Sequence, residues 1–108
     1  MPKFLTIGYG DQAGYDRTPQ ALRDAAHDHD AAQVAAGVIT GVLLDPVQVR
    51  NHQDGGVITE AGSFLAAPLP VAGFSLIEAA SLDEAVRIAA RAPCAVADGV
   101  VEVWPVRE

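Results

Sequence analysis

Two histidines and two aspartates stand together at positions 27–30, which makes this the most reactive-looking segment of the chain. The segment lies in a predicted helix whose apolar stripe includes His29, whereas His27 lies about 160° away around the helix axis. The two imidazoles therefore cannot act together, and ligands two residues apart on a helix diverge, which argues against a metal site. A histidine that faces a pocket is suited to general acid–base catalysis near neutral pH. We predict His29 as a catalytic residue assisted by Asp30, the alternative being a hydrogen-bonded core histidine.

Further candidates follow the first predicted strand and lie in a predicted hairpin. Tyr9 and Asp11 come at the end of the sheet where a pocket mouth is expected, so Tyr9 is a predicted ligand contact and Asp11 a second predicted catalytic carboxylate. A turn or solubility role is the alternative for Asp11. Arg50 can bind an anionic ligand through its planar guanidinium, or be an ordinary exposed cation of the hairpin. Ser63 has no recognisable base beside it, which argues against a nucleophile and leaves it as a predicted ligand contact.

Composition narrows the possible functions. The 108 residues are 50% apolar and 19% charged, which predicts one folded domain over residues 1–108. The net charge of −7 comes from 14 acids against 7 scattered bases, so no basic stripe is available for nucleic acid. Cys94 is the only cysteine, which excludes an intramolecular disulfide or a cysteine cluster for zinc or iron–sulfur and favours a reducing compartment. No apolar run is long enough for a signal segment or a membrane span, so we expect a cytoplasmic protein with no membrane, metal or cofactor partner.

The elements that must position these residues alternate between strand and helix. The predicted strands cover residues 4–9, 38–44, 71–79 and 99–106. One helix is predicted to begin at Thr18 and Pro19 and to end at Gly37, and a second begins at a capping box of Ser81 and Glu84. A hairpin is predicted from residues 47–50 and 57–60, followed by a loop at 61–70 whose Phe64, Leu65 and Leu69 require burial.

This order of elements makes two split strand–helix–strand halves, which predicts an α+β, ferredoxin-like fold with an added β-hairpin. Two helices cover only one face of such a sheet. Because the strands are apolar, the other face is expected to pack against a second copy of the chain. The sequence therefore predicts a homodimer.

The order and spacing of several segments resemble the YCII-related family in its DGPF-type branch. These segments are residues 4–11, 35–38, 47–50, 73–78, 81–85 and 99–106. The resemblance covers nearly the whole chain and implies a dimeric α+β barrel. Relatives place a histidine beside an aspartate in the first helix, which leaves open whether His27 or His29 faces the pocket.

Two departures from the branch concern its pocket. The Asp-Gly-Pro-Phe signature is replaced by Ala61-Gly62-Ser63-Phe64, so the signature carboxylate is missing. Glu60 is a poor substitute, because an offset of one residue in an extended segment points the side chain to the opposite face. Trp104 stands where an arginine is often found in the last strand. The resemblance therefore implies a more apolar pocket contacted by Phe64 and Trp104, in a protein that has lost part of its catalytic chemistry.

Three functional hypotheses follow. The first is a small-molecule-binding protein with a pocket between helix and sheet. The second is a small lyase, isomerase or dehydrochlorinase-like enzyme that uses His29 as acid and base, with Asp11 or Asp30 assisting. The third is an interaction or regulatory protein, since some relatives are linked to sigma factors.

Overall fold

The computed structural model describes all 108 residues and contains six strands and four helices. In chain order the elements are β1 (Lys3–Tyr9), α1 (Gln12–Arg17), α2 (Gln20–Ala35), β2 (Ile39–Val42), β3 (Val47–Arg50), β4 (Ile58–Ala61), β5 (Val71–Glu78), α3 (Leu82–Ala89), α4 (Pro93–Val96) and β6 (Val100–Pro105). Four strands form an antiparallel sheet in the order β2-β5-β1-β6, and β3 and β4 form a separate hairpin. The protein has the predicted α+β ferredoxin-like fold. None of its helices combines the length and the apolar character that a membrane span requires.

The start of α2 differs from the sequence prediction. Thr18 does not cap α2, because its hydroxyl donates a hydrogen bond of 2.9 Å to the carbonyl of Gly14 and its backbone closes α1. The short helix α1 was not predicted, and its first turn is capped by the Asp11 carboxylate, which accepts from the Gly14 N–H at 2.9 Å. The helix α2 then begins directly after Pro19 without a side-chain cap.

The buried side of α2 is also rotated relative to the predicted stripe. Ala26 and His29 are buried as predicted, whereas Leu22 is 52% exposed. Gln33 belongs to the predicted stripe and is half-buried. Arg23 lies outside the stripe and is also half-buried, whereas the stripe residues Ala25, Ala32 and Ala36 are exposed. The helix therefore directs polar side chains toward the sheet.

The capping box of α3 is confirmed. The Ser81 hydroxyl accepts from the Glu84 N–H at 3.2 Å, and the Glu84 carboxylate accepts from the Ala80 N–H at 3.3 Å. Pro93 does not follow a single long helix, because α3 ends at Ala89 and Pro93 occupies the first turn of α4.

The four-stranded sheet has two different faces, which strand alternation separates. Phe4 and Ile77 pack against Ala85 of α3, so their face is the one beneath the helices; we call it the covered face. It carries the side chains of Phe4, Thr6, Thr40, Ser75, Ile77, Val101 and Val103, together with Gly8 and Gly73. The opposite face, which we call the bare face, carries Leu5, Ile7, Tyr9, Ile39, Phe74, Leu76, Glu102 and Trp104. The helices that contact the sheet most, α3 and α4, lie on the covered face.

The hairpin β3–β4 and the loop after it, residues 47–69, stand away from the sheet; we call this segment the hairpin arm. Every residue from 51 to 68 is exposed. The predicted burial of Phe64 and Leu65 is wrong for the single chain, since these side chains are 79% and 56% exposed. The reason is that β3 and β4 pair only with each other, so the arm does not extend the main sheet and its loop side chains stay exposed.

Candidate functional site

A groove opens at the glycine-rich end of the covered face. Gly8 and Gly73 lie opposite each other on β1 and β5, and neither puts a side chain between the sheet and the helices. The space forms an open cavity of about 470 Å³. Its floor is Thr6, Thr40 and Ser75, its walls include His27 and Asp30 of α2 and Pro93 and Cys94 of α4, and Val42 and Val101 supply apolar side chains.

A pair of hydroxyl groups forms the polar floor of this groove. The Thr6 and Ser75 oxygens lie 2.5 Å apart and share one hydrogen bond, and Thr6 is only 6% exposed. Each hydroxyl has one hydrogen to donate and two acceptor lone pairs, so the pair keeps one donor and several acceptors for a further partner. Thr40 is different, because its hydroxyl donates to the Phe74 carbonyl at 2.9 Å.

The groove ends at His29. A narrow cavity of about 30 Å³ shares Thr6, Asp30 and Ser75 with the groove and continues to His29 and Gln33. This space is sufficient for one water molecule. On their other side, His29 and Gln33 line an open cavity of about 560 Å³ between α2 and α3. His29 is 8% exposed, so its imidazole is buried at the inner end of the groove.

The outer end of the groove leads into a second open cavity of about 260 Å³. The two spaces share Pro93 and Cys94, and the outer one is bordered by Asp11 and Tyr15. A continuous path therefore runs from the surface beside Tyr15, past Cys94, to the buried hydroxyl pair.

Cys94 lies at the middle of this path. A Cβ atom added to Gly8 would stand 2.8 Å from the Cys94 sulfur, so the glycine allows the thiol to lie directly on β1. Burial, and to a lesser extent the carboxylate of Asp30, raises the pKa of the Cys94 thiol. The thiol therefore stays protonated at neutral pH and is a poor nucleophile.

The family model for the YCII-related domain matches residues 3–108. The chain belongs to the YCII-related family. A search of curated proteins finds no match. The assignment agrees with the resemblance of the segments described above and covers both the sheet and the helices that enclose the groove.

Within this YCII-related domain, only some of the predicted catalytic residues lie together. His29 and Asp30 both border the inner part of the groove. Asp11 borders its outer end, where the carboxylate is exposed and accepts the hydrogen bond that begins α1. His27 is exposed and lines the groove from the wall formed by α2. Both His27 and His29 therefore line the groove, His27 near its surface and His29 at its inner end.

Tyr9 and Trp104 were predicted to contact the ligand, but both lie on the bare face of the YCII-related domain. The Tyr9 hydroxyl donates to the Glu102 carboxylate at 2.5 Å. This hydrogen bond, together with burial and the negative charge of Glu102, raises the pKa of Tyr9. Trp104 is 51% exposed on the same face. The two residues are separated from His29 by the sheet.

The remaining predicted ligand contacts are in the hairpin arm. Arg50 forms an ion pair of 3.3 Å with Glu60 and lies 5.9 Å from the centre of the Phe64 ring. Ser63 accepts a hydrogen bond from the Leu65 N–H. The arm and the groove share no cavity within one chain.

Sequence reasoning missed Thr6, Ser75 and Cys94. A signal was present, because alternation along β1 puts Thr6 and Gly8 on the same face as the buried Phe4, where apolar residues are expected. Ser75 and Gly73 repeat this pattern on β5. Small and polar residues at such positions indicate a cavity rather than a packed core. No three His, Cys, Asp or Glu side chains in the chain come close enough together to hold a metal ion.

Proposed function

We propose that this YCII-related protein binds a small, partly apolar molecule in the groove of the covered face. The observation that carries the proposal is the continuous space of about 470 Å³ that ends on the Thr6–Ser75 hydroxyl pair. Ligand sites are typically concave, mainly apolar and equipped with a few polar groups that orient the ligand. The walls supply the apolar surface, and the hydroxyl pair supplies the orienting donor and acceptors.

The proposal includes a homodimer in which the bare faces of two copies pack together. One chain has an accessible surface of 7421 Å², whereas a folded monomer of this mass is expected to have roughly 5,700 Å². The excess of about 1,700 Å² on each chain is enough for a stable interface. The apolar bare face and the hairpin arm account for much of it, and Ile39 and Val49 are 60% and 65% exposed.

The proposal also places the protein in the DGPF-type branch and in the cytoplasm. The order of the matching segments supports the branch. The lone cysteine, Cys94, supports a reducing compartment.

A thermal-shift screen tests the binding function. Phenols, lactones and small aromatic acids and amides at millimolar concentration are expected to raise the melting temperature of the wild-type protein. Thr40→Phe puts an aromatic ring into the groove from its edge strand and is expected to abolish this shift. Thr59→Phe makes the same substitution on the exposed arm and is expected to keep it. Absence of any stabilising compound, or stabilisation that survives Thr40→Phe, would contradict the proposal.

A second candidate function is acid–base catalysis by His29. The observation that favours it is the position of the imidazole at the inner end of the groove, beside the Thr6–Ser75 pair and Asp30. In an enzyme, His29→Phe removes turnover of a lyase or isomerase substrate while the melting temperature is retained, and His52→Gln on the exposed hairpin arm serves as the control. Equal turnover by the wild type and His29→Phe would reject catalysis and leave the binding function in place.

A further inference from the structure

Arg23 is a cation without an acidic partner in a strongly acidic chain. The net charge is −7, and the three ion pairs use other bases, Lys3, Arg17 and Arg50. The guanidinium carbon of Arg23 lies 4.7 Å from the centre of the Tyr15 ring. Its Nε atom is buried and has no hydrogen-bond partner. The guanidinium is therefore held in place by stacking rather than by a carboxylate, and its charge is not neutralised within the chain.

His27 stands one helical turn after Arg23, so both side chains project from the same side of α2. Its Nε2 atom lies 3.1 Å from the Tyr15 hydroxyl, and the two rings have centroids 5.9 Å apart. Arg23 and His27 therefore both contact one tyrosine. That tyrosine borders the outer cavity, and His27 borders the groove itself.

Three groups that can donate hydrogen bonds are thus clustered around Tyr15: a guanidinium, an imidazole and a phenol. The imidazole lines the groove and the phenol lines its outer cavity, whereas the guanidinium lies behind them in contact with the Tyr15 ring. A planar guanidinium that already has a fixed orientation can bind a carboxylate through two parallel hydrogen bonds. Beyond this cluster the groove has apolar walls that include Val42 and Val101. The arrangement matches a molecule with an anionic end and an apolar body.

We propose that Arg23, with His27 and Tyr15, forms the anion-binding end of the groove, and that the ligand is a small organic monocarboxylate. This inference rests on the proposed binding function and names the class of its ligand. A monocarboxylate is favoured over a diacid because Asp30, three residues after His27 on α2, places a carboxylate of the protein farther along the groove. A second negative charge on the ligand would meet that carboxylate.

Two pairs of isosteric probes test the inference by nuclear magnetic resonance titration of the ¹⁵N-labelled protein. The probes are benzoate with benzamide, and phenylacetate with phenylacetamide. In each pair the acid is expected to bind at least roughly tenfold more tightly than the amide, because hydrogen bonds to charged groups are the stronger ones. Arg23→Gln is expected to remove this preference, and Arg23→Lys to keep part of it. Arg107→Gln changes the net charge equally at an exposed terminal position and is expected to retain the full preference.

The outcomes separate this inference from the function on which it rests. If the acid and the amide probe bind the groove equally well, the carboxylate-binding end is rejected and groove binding stands. The same conclusion follows if the Arg23→Gln variant keeps both the wild-type ¹⁵N–¹H spectrum and the preference for the acid. If neither pair of probes nor any compound of the thermal-shift screen binds, both the inference and the binding function are rejected.

Discussion

The two faces of the four-stranded sheet have the reverse of the polarity that is expected of a single globular domain. The covered face has hydroxyls and glycines at its centre, at Thr6, Ser75, Gly8 and Gly73, although helices lie above it. The bare face is mainly apolar, with Leu5, Ile7, Phe74 and Leu76 among its side chains, although α3 and α4 contact the sheet on its other side. A single domain is expected to put its apolar face beneath the helices. The difference supports both parts of the proposal, a ligand in the groove and a second copy of the chain on the bare face.

The small size of the buried core supports this distinction. Only 13 of 108 residues are buried, and the core cluster consists of Phe4, Ile77, Ala79 and Ala85 at the end of the covered face away from the groove. A core of this size gives marginal stability to a chain of this length. Association through the bare face would supply the missing burial.

A charge on the bare face gives the largest expected effect. Ile7→Asp would bury an unpaired carboxylate between two sheets, which is expected to cost at least about 3 kcal/mol of dimerisation free energy. Light scattering should then give a mass near the 11.2 kDa of one chain instead of about twice that value. The control Ala31→Asp lies on the exposed side of α2 and should leave the mass unchanged. A wild-type chain that is already monomeric at micromolar concentration would contradict the proposed dimer.

Truncation in the core should have the next largest effect. Ile77 is 2% exposed, and Ile77→Ala is expected to lower the free energy of unfolding by about 3 kcal/mol through lost burial and a cavity. Urea denaturation followed by circular dichroism measures this change. Leu44 is 87% exposed, so the control Leu44→Ala should change the free energy of unfolding by less than about 0.5 kcal/mol. Equal losses for the two variants would show that the covered face is not the packed side.

Removal of one floor hydroxyl should have a smaller and non-additive effect. Thr6→Val leaves the Ser75 hydroxyl without its partner and is expected to lower the free energy of unfolding by about 1–2 kcal/mol. The double variant Thr6→Val/Ser75→Ala should be less destabilised than the sum of the two single variants, because no unpaired hydroxyl remains. Strict additivity in this double-mutant cycle would exclude the hydroxyl pair.

The smallest expected effect is on the reactivity of Cys94. Burial and the Asp30 carboxylate hold the pKa of the thiol above its usual value, so the thiolate fraction at pH 8 is low. Asp30→Asn removes the charge, lowers the pKa and should increase the rate of reaction with a disulfide reagent. Asp28→Asn removes the same charge from the exposed neighbour of the segment and should leave the rate unchanged. An unchanged rate in Asp30→Asn would show that this carboxylate does not face the groove.

Local sequence signals predicted the strands, the order of elements and the capping box at Ser81, because these depend on neighbouring residues. They failed at Thr18, because its hydroxyl donates to the Gly14 carbonyl four residues earlier and ends α1 instead of capping α2. The groove was harder to predict because its hydroxyl pair joins Thr6 and Ser75, which are 69 positions apart in the chain. The predicted burial of Phe64 failed because its side chain stands on the hairpin arm, where Arg50 lies near the ring and the side chain stays 79% exposed.

In the proposed function the covered face binds a ligand while the bare face contacts a second chain. An ¹⁵N–¹H titration with the most stabilising compound of the screen distinguishes the two faces. The expected result is that the amide shifts concentrate at Gly8, Gly73, Ser75 and Cys94 while the molecular mass stays at twice that of one chain. Shifts that concentrate on the bare face at Leu5, or a mass that falls to one chain as ligand is added, would contradict the account.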